Sequence, residues 1–333
     1  MTSPAPAAQS ASRTKMAASI CFALVCGGLV ALQSRINGEF GLELSDGFVA
    51  ALISFGSGLL IVTVALAVTP SGRLGVRRVR EAVRTRAMPW WFLGGGLAGG
   101  LFVLSQGITV GIIGIALFTV AAVAGQTISG LLIDARGIGT VAPKRVSVAR
   151  AVGSAVALIA VIVSVGPQVN GHAPLWMLLM PLVVGLFLGW QQAVNGQVKS
   201  LAGSAVTATF FNFVGGTLLL LVAEIIHASV EGLPSSFPTS PYLYTGGIVG
   251  VVFIAGFAVV TPIIGVLLQS LAAVSGQLIM SLILGIVAPT SRAVLEWTTI
   301  FGTVLALVGV VIATIPSRRA RVSPTTPPVA DQV

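Results

Sequence analysis

The sequence predicts an all-α integral membrane protein of about ten transmembrane helices in two inverted five-helix repeats. Three observations predict it. Hydrophobic residues make up 55% of the chain and charged ones only 8%, whereas a soluble domain carries about 25% charged residues. The apolar residues fall in runs of roughly 20, the length that crosses a hydrocarbon core about 30 Å thick. Polar and glycine positions of the first half recur in register in the second.

Residues 1–15 read as a cytoplasmic Ala/Ser/Pro tail ending in Arg13 and Lys15. With the apolar run behind it, this tail resembles a secretory signal. That run ends in a motif that recurs later, so cleavage would leave half a repeat, and it reads as an uncleaved first helix. The first repeat, 16–166, holds spans at 16–37, 47–69, 89–110, 112–133 and 149–166. The second, 167–316, holds spans at 175–196, 204–226, 241–261, 263–286 and 298–315. Residues 317–333, rich in Pro, Ser, Thr and Val, read as a disordered cytoplasmic tail. Aromatic residues mark the span ends: Trp90 and Trp91 open the third, Trp176 the sixth, Tyr242 and Tyr244 the eighth, Trp297 the tenth. Rings with a polar tip prefer the headgroup layer.

Orientation follows from charge, because short cytoplasmic loops collect Lys and Arg. With the N-terminus inside, 16 of the 18 basic residues fall on the inner side, and only Arg35 and Arg292 on or near the outer. The densest inner segment, 70–88, carries Arg73, Arg77, Arg78, Arg80, Arg84 and Arg86. Both termini are therefore expected in the cytoplasm of a plasma (inner) membrane. The net charge of +9 lies in short loops and not on a folded basic face, so its natural partners are anionic lipids and not nucleic acid.

The halves align without gaps from Gln33–Gly58 onto Gln191–Gly216, and from Gly95–Leu131 onto Gly246–Leu282. Asn37-Gly38 matches Asn195-Gly196, Phe55 matches Phe213, and Ala121-Ala122-Val123-x-Gly125-Gln126 matches Ala272-Ala273-Val274-x-Gly276-Gln277. An odd number of spans per repeat turns the second upside-down. The basic loop 70–88 then corresponds to loop 227–240, which has no Lys or Arg and should face out. Inverted repeats are a recurrent plan of secondary transporters.

The Asn-Gly end of the first span, the run Ala-Leu-Ile-Ser-Phe-x-x-Gly at 51–58, Pro89-Trp90-Trp91, and Ala-Gly-Gln at 124–126 followed by Leu-Leu-Ile-Asp at 131–134 carry a resemblance. They are similar to the YdcZ-type inner-membrane exporters of the drug/metabolite transporter superfamily, over about 16–315 and once per half. The second half departs where Asn212 stands for Ser54 and Gly285 for Asp134. The resemblance implies small-molecule efflux and names no substrate.

Catalytic and metal-ligating motifs are absent. The two histidines, His172 and His227, lie in outer loops, and Cys21 and Cys26 are too few for a disulfide framework. An enzyme is not expected, nor any cofactor. No ATP-binding motif is present, so an ion gradient or the solute's own gradient must drive transport. The informative residues are polar ones in apolar spans. Gln126 and Gln277, symmetry mates near mid-membrane, either join helices or line a substrate path. Gln33 and Asn37 share one helical face, as do Gln191 and Asn195. Asn-Gly also ends helices with Gly in the left-handed region, and an early end inside a cavity exposes carbonyls to a ligand. Trp190, inside a span, and Asn212 complete the substrate-path candidates.

Glu39 and Glu224 are the candidates for ion coupling. The bland alternatives are an ion pair of Glu39 with Arg35, and Glu224 reaching to the outer surface. Asp134 is expected to pair with Arg136 or Lys144 at the inner surface. The expected function is a secondary transporter exporting a small organic metabolite or drug-like compound by alternating access. A non-transporting membrane scaffold or assembly subunit is the alternative. Expected partners are the solute and the lipid bilayer, with a homodimer allowed.

Overall fold

The computed structural model describes residues 6–136, 148–165, 174–288 and 297–314. Lys144, Arg145, His172, Arg292 and the 317–333 tail lie outside the described residues, as do the side chains of Asp134, Arg136 and Arg150. The described residues form α1 (Pro6–Leu44), α2 (Gly47–Val68), α3 (Pro70–Arg84), α4 (Gly95–Ser105), α5 (Ile115–Arg136), α6 (Val148–Val165), α7 (Leu175–Ala202), α8 (Ala205–Glu231), α9 (Gly246–Val287) and α10 (Trp297–Thr314). Seven segments among the described residues are long and apolar enough to cross a membrane, and Ile115–Gly130 and Ile300–Ile312 are shorter apolar helices.

Local chemistry sets the boundaries. Asp46 caps α2 by accepting from the backbone N–H groups of Phe48 and Val49, at 2.9 and 3.0 Å. Its repeat mate Ser204 caps α8 by accepting from Thr207 N–H at 3.3 Å. Such caps satisfy orphan donors of the first helical turn. Gly203, with φ +66°, ends α7, a left-handed closure that favours glycine.

Besides His227, which lies in α8 and not in an outer loop, three expectations change. Asn37-Gly38 and Asn195-Gly196 do not end helices, for α1 runs on to Leu44 and α7 to Ala202. Gly38 serves packing instead: a Cβ there would collide with Val110. The basic segment 70–88 is not a plain loop, since 70–84 is the helix α3. Pro70 occupies its first turn, where the missing N–H costs nothing. Gly72, Gly75, Val79 and Ala82 are buried while its arginines point outward, the pattern of a helix lying at a membrane surface. Arg78 donates to the Ala202 carbonyl at 3.3 Å, and Thr207 Oγ1 to the Gly72 carbonyl at 3.0 Å, so α3 seats on the α7–α8 turn. The third change is in the third span, which is 3-10 helix at Trp90–Gly94, then α4, then a π-helical turn at Gln106–Val110. It breaks before α5 at Gly114, φ +81°.

α9 is helical over all 42 residues, and a straight helix of that length would span roughly 63 Å. Its contacts show that it doubles back. Cys26 of α1 lies against Gly256, while the adjacent Gly27 lies against Ala273. Two points 17 residues apart along one straight helix would be roughly 25 Å apart and could not meet neighbouring residues of α1. The reversal therefore falls between the apolar segments Pro241–Thr261 and Gln269–Val287.

The two halves pack reciprocally. A Cβ on Gly99 would strike Gln191 and Phe55, and one on its mate Gly250 would strike Gln33 and Phe213. Gly125 abuts the Leu182 carbonyl, as Gly276 abuts that of Leu24. Gly185 abuts Ala122, as Gly27 abuts Ala273. This is the signature of a two-fold relation, in which a residue and its mate exchange partners. Phe55 and Phe213 meet each other, ring centroids 4.9 Å apart, and both are fully buried. Along the spans the large side chains facing outward are apolar, among them Leu60, Ile225, Ile226 and Val311, as lipid requires.

Backbone-to-backbone contact at these glycines leaves no room for a methyl group. Gly276→Ala should destabilise the protein by about 1–3 kcal/mol. Gly56, which has nothing within 4 Å of an added Cβ, should accept alanine without loss. Thermal unfolding in detergent compares the two; equal melting temperatures would remove the close-packing account.

Candidate functional site

A cavity of about 50 Å³, apolar over most of its wall but with several amides converging on it, lies between the two halves of the bundle, with room for a few waters. Its polar lining is the side chains of Gln33, Gln126, Gln191, Gln192, Asn195, Thr261 and Gln277, and its apolar lining includes Phe55, Phe102, Phe253 and Phe257. Among the described residues no lining side chain carries a charge.

Gln126 and Gln277 meet across the two-fold relation. Gln126 Nε2 donates to Gln277 Oε1 at 3.3 Å, and both are buried. Each follows a glycine that brings another helix's backbone into contact, α7 for Gly125 and α1 for Gly276. Gln33 Nε2 donates to the Gly246 carbonyl at 2.7 Å. The Oε1 atoms of Gln33 and Gln126 are buried and accept no hydrogen bond from the described residues. A buried acceptor without a donor costs about 1–3 kcal/mol, so both call for a donor from water or solute.

The ends of the cavity differ although the helices that form them are mates. At one end Asn195 is partly exposed and lines the space. At the other, Asn37 is fully buried and donates through Nδ2 to Gln106 Oε1 at 2.7 Å, while Gln106 Nε2 donates to Ser34 Oγ at 2.8 Å. By the repeat register the mates of Ser34, Asn37 and Gln106 are Gln192, Asn195 and Phe257, and all three line the cavity. A polar lock thus stands at the Asn37 end where the other end has lining. Beyond the lock lies a second cavity of about 350 Å³, bordered by Gly38, Gly41, Asp46, Phe48, Gly107, Gly111 and His227.

The remaining candidates lie apart from the central cavity. Trp190 is partly exposed and packs against Gly94. Asn212 is buried beside Gly99 and Gly96, and neither amide atom has a hydrogen-bond partner. Glu39 pairs with Arg35 one turn before it and accepts from the Tyr242 hydroxyl at 3.4 Å. Glu224 is 6% exposed, and neither carboxylate oxygen has a hydrogen-bond partner. Among the described residues no group of His, Cys, Asp or Glu could hold a metal ion.

Sequence reasoning missed Ser34, Gln106, Gln192, Thr261 and Gln269. Thr261 Oγ1 pairs with Gln269 Oε1 across the α9 reversal, and Ser270 Oγ donates to Gln192 Oε1 at 2.6 Å. Each is a polar side chain inside an apolar run, which was the available signal. The repeat comparison passed over them because their mates are not alike, as with Gln106 and Phe257.

The family model described as "Putative inner membrane exporter, YdcZ" matches residues 18–163 and again 176–312, once per repeat. No curated protein matches the chain. A solved structure titled "Crystal structure of protein" aligns with a TM-score of 0.55 at 17% identity, over 90% of this chain and 96% of its own. That likeness concerns the fold alone.

Proposed function

Because the chain belongs to the YdcZ family of inner-membrane exporters, we propose that it exports a small uncharged organic solute through the central cavity by alternating access. The observation that carries this reading is the lining: convergent amides with unpaired acceptors beside aromatic rings, and no charged group. Amides orient a solute that brings its own donors, phenylalanines take its apolar face, and a formal charge would enter without compensation.

Ten spans fit the family's two repeats: the seven long apolar segments, the two shorter ones, and α6. Five per half places the halves upside-down to each other, with both termini and α3 in the cytoplasm and 232–240 outside. The Asn195 end of the cavity then faces inward and the locked Asn37 end outward, a state that takes solute from the cytoplasm. A cavity of about 50 Å³ is well below the ~300 Å³ of ordinary ligand pockets. Loading therefore requires α7 to part from α4 and α9 at the Asn195 end. Opening of the lock at the Asn37 end completes the cycle.

Thermal stabilisation of the purified protein by a panel of neutral, anionic and cationic solutes, followed by flux in liposomes, tests the reading. Neutral solutes should stabilise, by about 1.4 kcal/mol at roughly ten times Kd, and should be transported. If only charged compounds stabilise and cross, the cavity is not the site. If nothing crosses, the chain is not a transporter on its own.

A further inference from the structure

We propose that Glu224, His227 and Asp46 form a proton-binding site on the outer side of the polar lock, through which proton uptake and release bias opening at that end. The inference deepens the transport reading and rests on it for its direction, inside to outside.

Glu224 sits on α8 with its carboxylate buried and unpartnered. An ionised carboxylate held this way is strongly disfavoured, and among the described residues no arginine or lysine pairs with it. The charged groups that act on Glu224 are Asp46, from the α1–α2 turn, and His227, from its own helix. α3 also packs against α8, but it seats at Thr207, roughly 25 Å along the helix from Glu224, so its charges do not face the carboxylate. His227 lies one turn from Glu224 on the same face. Its ring stacks on Phe48 with centroids 4.3 Å apart and 10° between planes, and its Nε2 is 3.7 Å from Asp46 Oδ2. Asp46 Oδ1 is already committed to the α2 cap, which leaves Oδ2 for the imidazole.

His227 and Asp46 also border the second cavity, whose wall is the stretch of α1 just past Asn37 and the π-helical turn just past Gln106. The cluster thus touches the segments that carry the lock. It is absent from the two-fold framework. By the repeat register the mates of Asp46, Glu224 and His227 are Ser204, Leu66 and Thr69, and Ser204 caps its helix without a charge. The fold therefore needs a cap at this position but neither the second carboxylate nor the imidazole.

The charge count supplies the mechanism. Proton release from Glu224 adds one negative charge to the cluster, and proton uptake removes it. The protonated acid tolerates a dry, closed environment, whereas the carboxylate requires water and so favours a hydrated, open cavity. Proton release from Glu224 to the outer water thus promotes opening past the lock, and proton uptake promotes closure.

The test reads the cavity without any solute, so its result is independent of whether a transported compound has been found. Leu42→Cys, in a background with Cys21→Ala and Cys26→Ala, places a thiol on the cavity wall. Met177→Cys, on the opposite wall, serves if that variant does not fold. Labelling by an impermeant methanethiosulfonate is normalised to Ser236→Cys, an exposed reference that removes the thiol's own pH dependence. Between about pH 5 and about pH 8, the range that spans a carboxylic acid raised by burial, the normalised rate should rise about tenfold. In Glu224→Gln, a mimic of the protonated acid, it should stay at the low-pH level throughout. A rate independent of pH in the parent, a full pH response in Glu224→Gln, or a response to sodium at fixed pH in place of one to protons would each overturn the proposal.

Discussion

Replacing Gln126 and Gln277 together by leucine should lower solute flux by roughly one to two orders of magnitude while the protein stays folded and inserted. Leucine keeps similar bulk and removes every donor and acceptor at the cavity centre. The pair gives a solute up to two neutral hydrogen bonds, each worth about 0.5–1.5 kcal/mol, and about 1.4 kcal/mol is tenfold. The Gln126–Gln277 bond itself, 3.3 Å long, contributes only on the order of 0.6 kcal/mol as an interhelical contact. Melting temperature and flux should therefore separate. If the glutamines only join helices, the double variant melts slightly earlier and transports normally. Flux per folded molecule, measured in liposomes, distinguishes the two.

Gln106→Leu should act on the lock and not on binding. The substitution removes the bonds to Asn37 and Ser34, which measure 2.7 and 2.8 Å. It strands a fully buried Asn37 amide in the closed state. Stranding such a group costs about 1–3 kcal/mol, so the closed population should fall roughly 5- to 150-fold relative to the open one. Val103 lines the central cavity, and Val103→Cys should become reactive to an impermeant thiol reagent added from the outer face. A folded Gln106→Leu variant with no gain in that reactivity would mean that Ser34, Asn37 and Gln106 are packing and not a gate.

The repeat was legible because it is written in glycine and amide positions. Those residues are costly in an apolar helix unless they pack or pair, so their register could be read. The matching contacts made by the mates Gly99 and Gly250, and by Gly125 and Gly276, show why those glycines stand where they do. The family was legible for the same reason, since its motifs are those positions.

The helix ends at Asn37-Gly38 and Asn195-Gly196 were misread because a C-cap glycine and a packing glycine look alike in sequence. Only the neighbour decides, and for Gly38 it is Val110. The helix in 70–88 was hidden by its arginines, which read as a topology signal and masked the apolar face of Gly72, Val79 and Ala82. The lock was hidden because it breaks the repeat: Gln106 has Phe257 as its mate. Glu224 could be read from sequence either as an ion-coupling residue or as reaching the outer surface. Its depth depends on how α8 rotates against the α1–α2 turn, which apolar periodicity alone does not fix.

The central claim is that the two halves lie upside-down to each other, so that the two ends of one cavity open to opposite faces of the membrane. Single cysteines at Thr85 and Ser236, both exposed positions, test it most directly in a background with Cys21→Ala and Cys26→Ala. In oriented cells or vesicles an impermeant maleimide should reach Ser236→Cys from outside and Thr85→Cys only after the inner face is opened. Labelling of both from the same side would contradict the inverted arrangement and the transport cycle built on it.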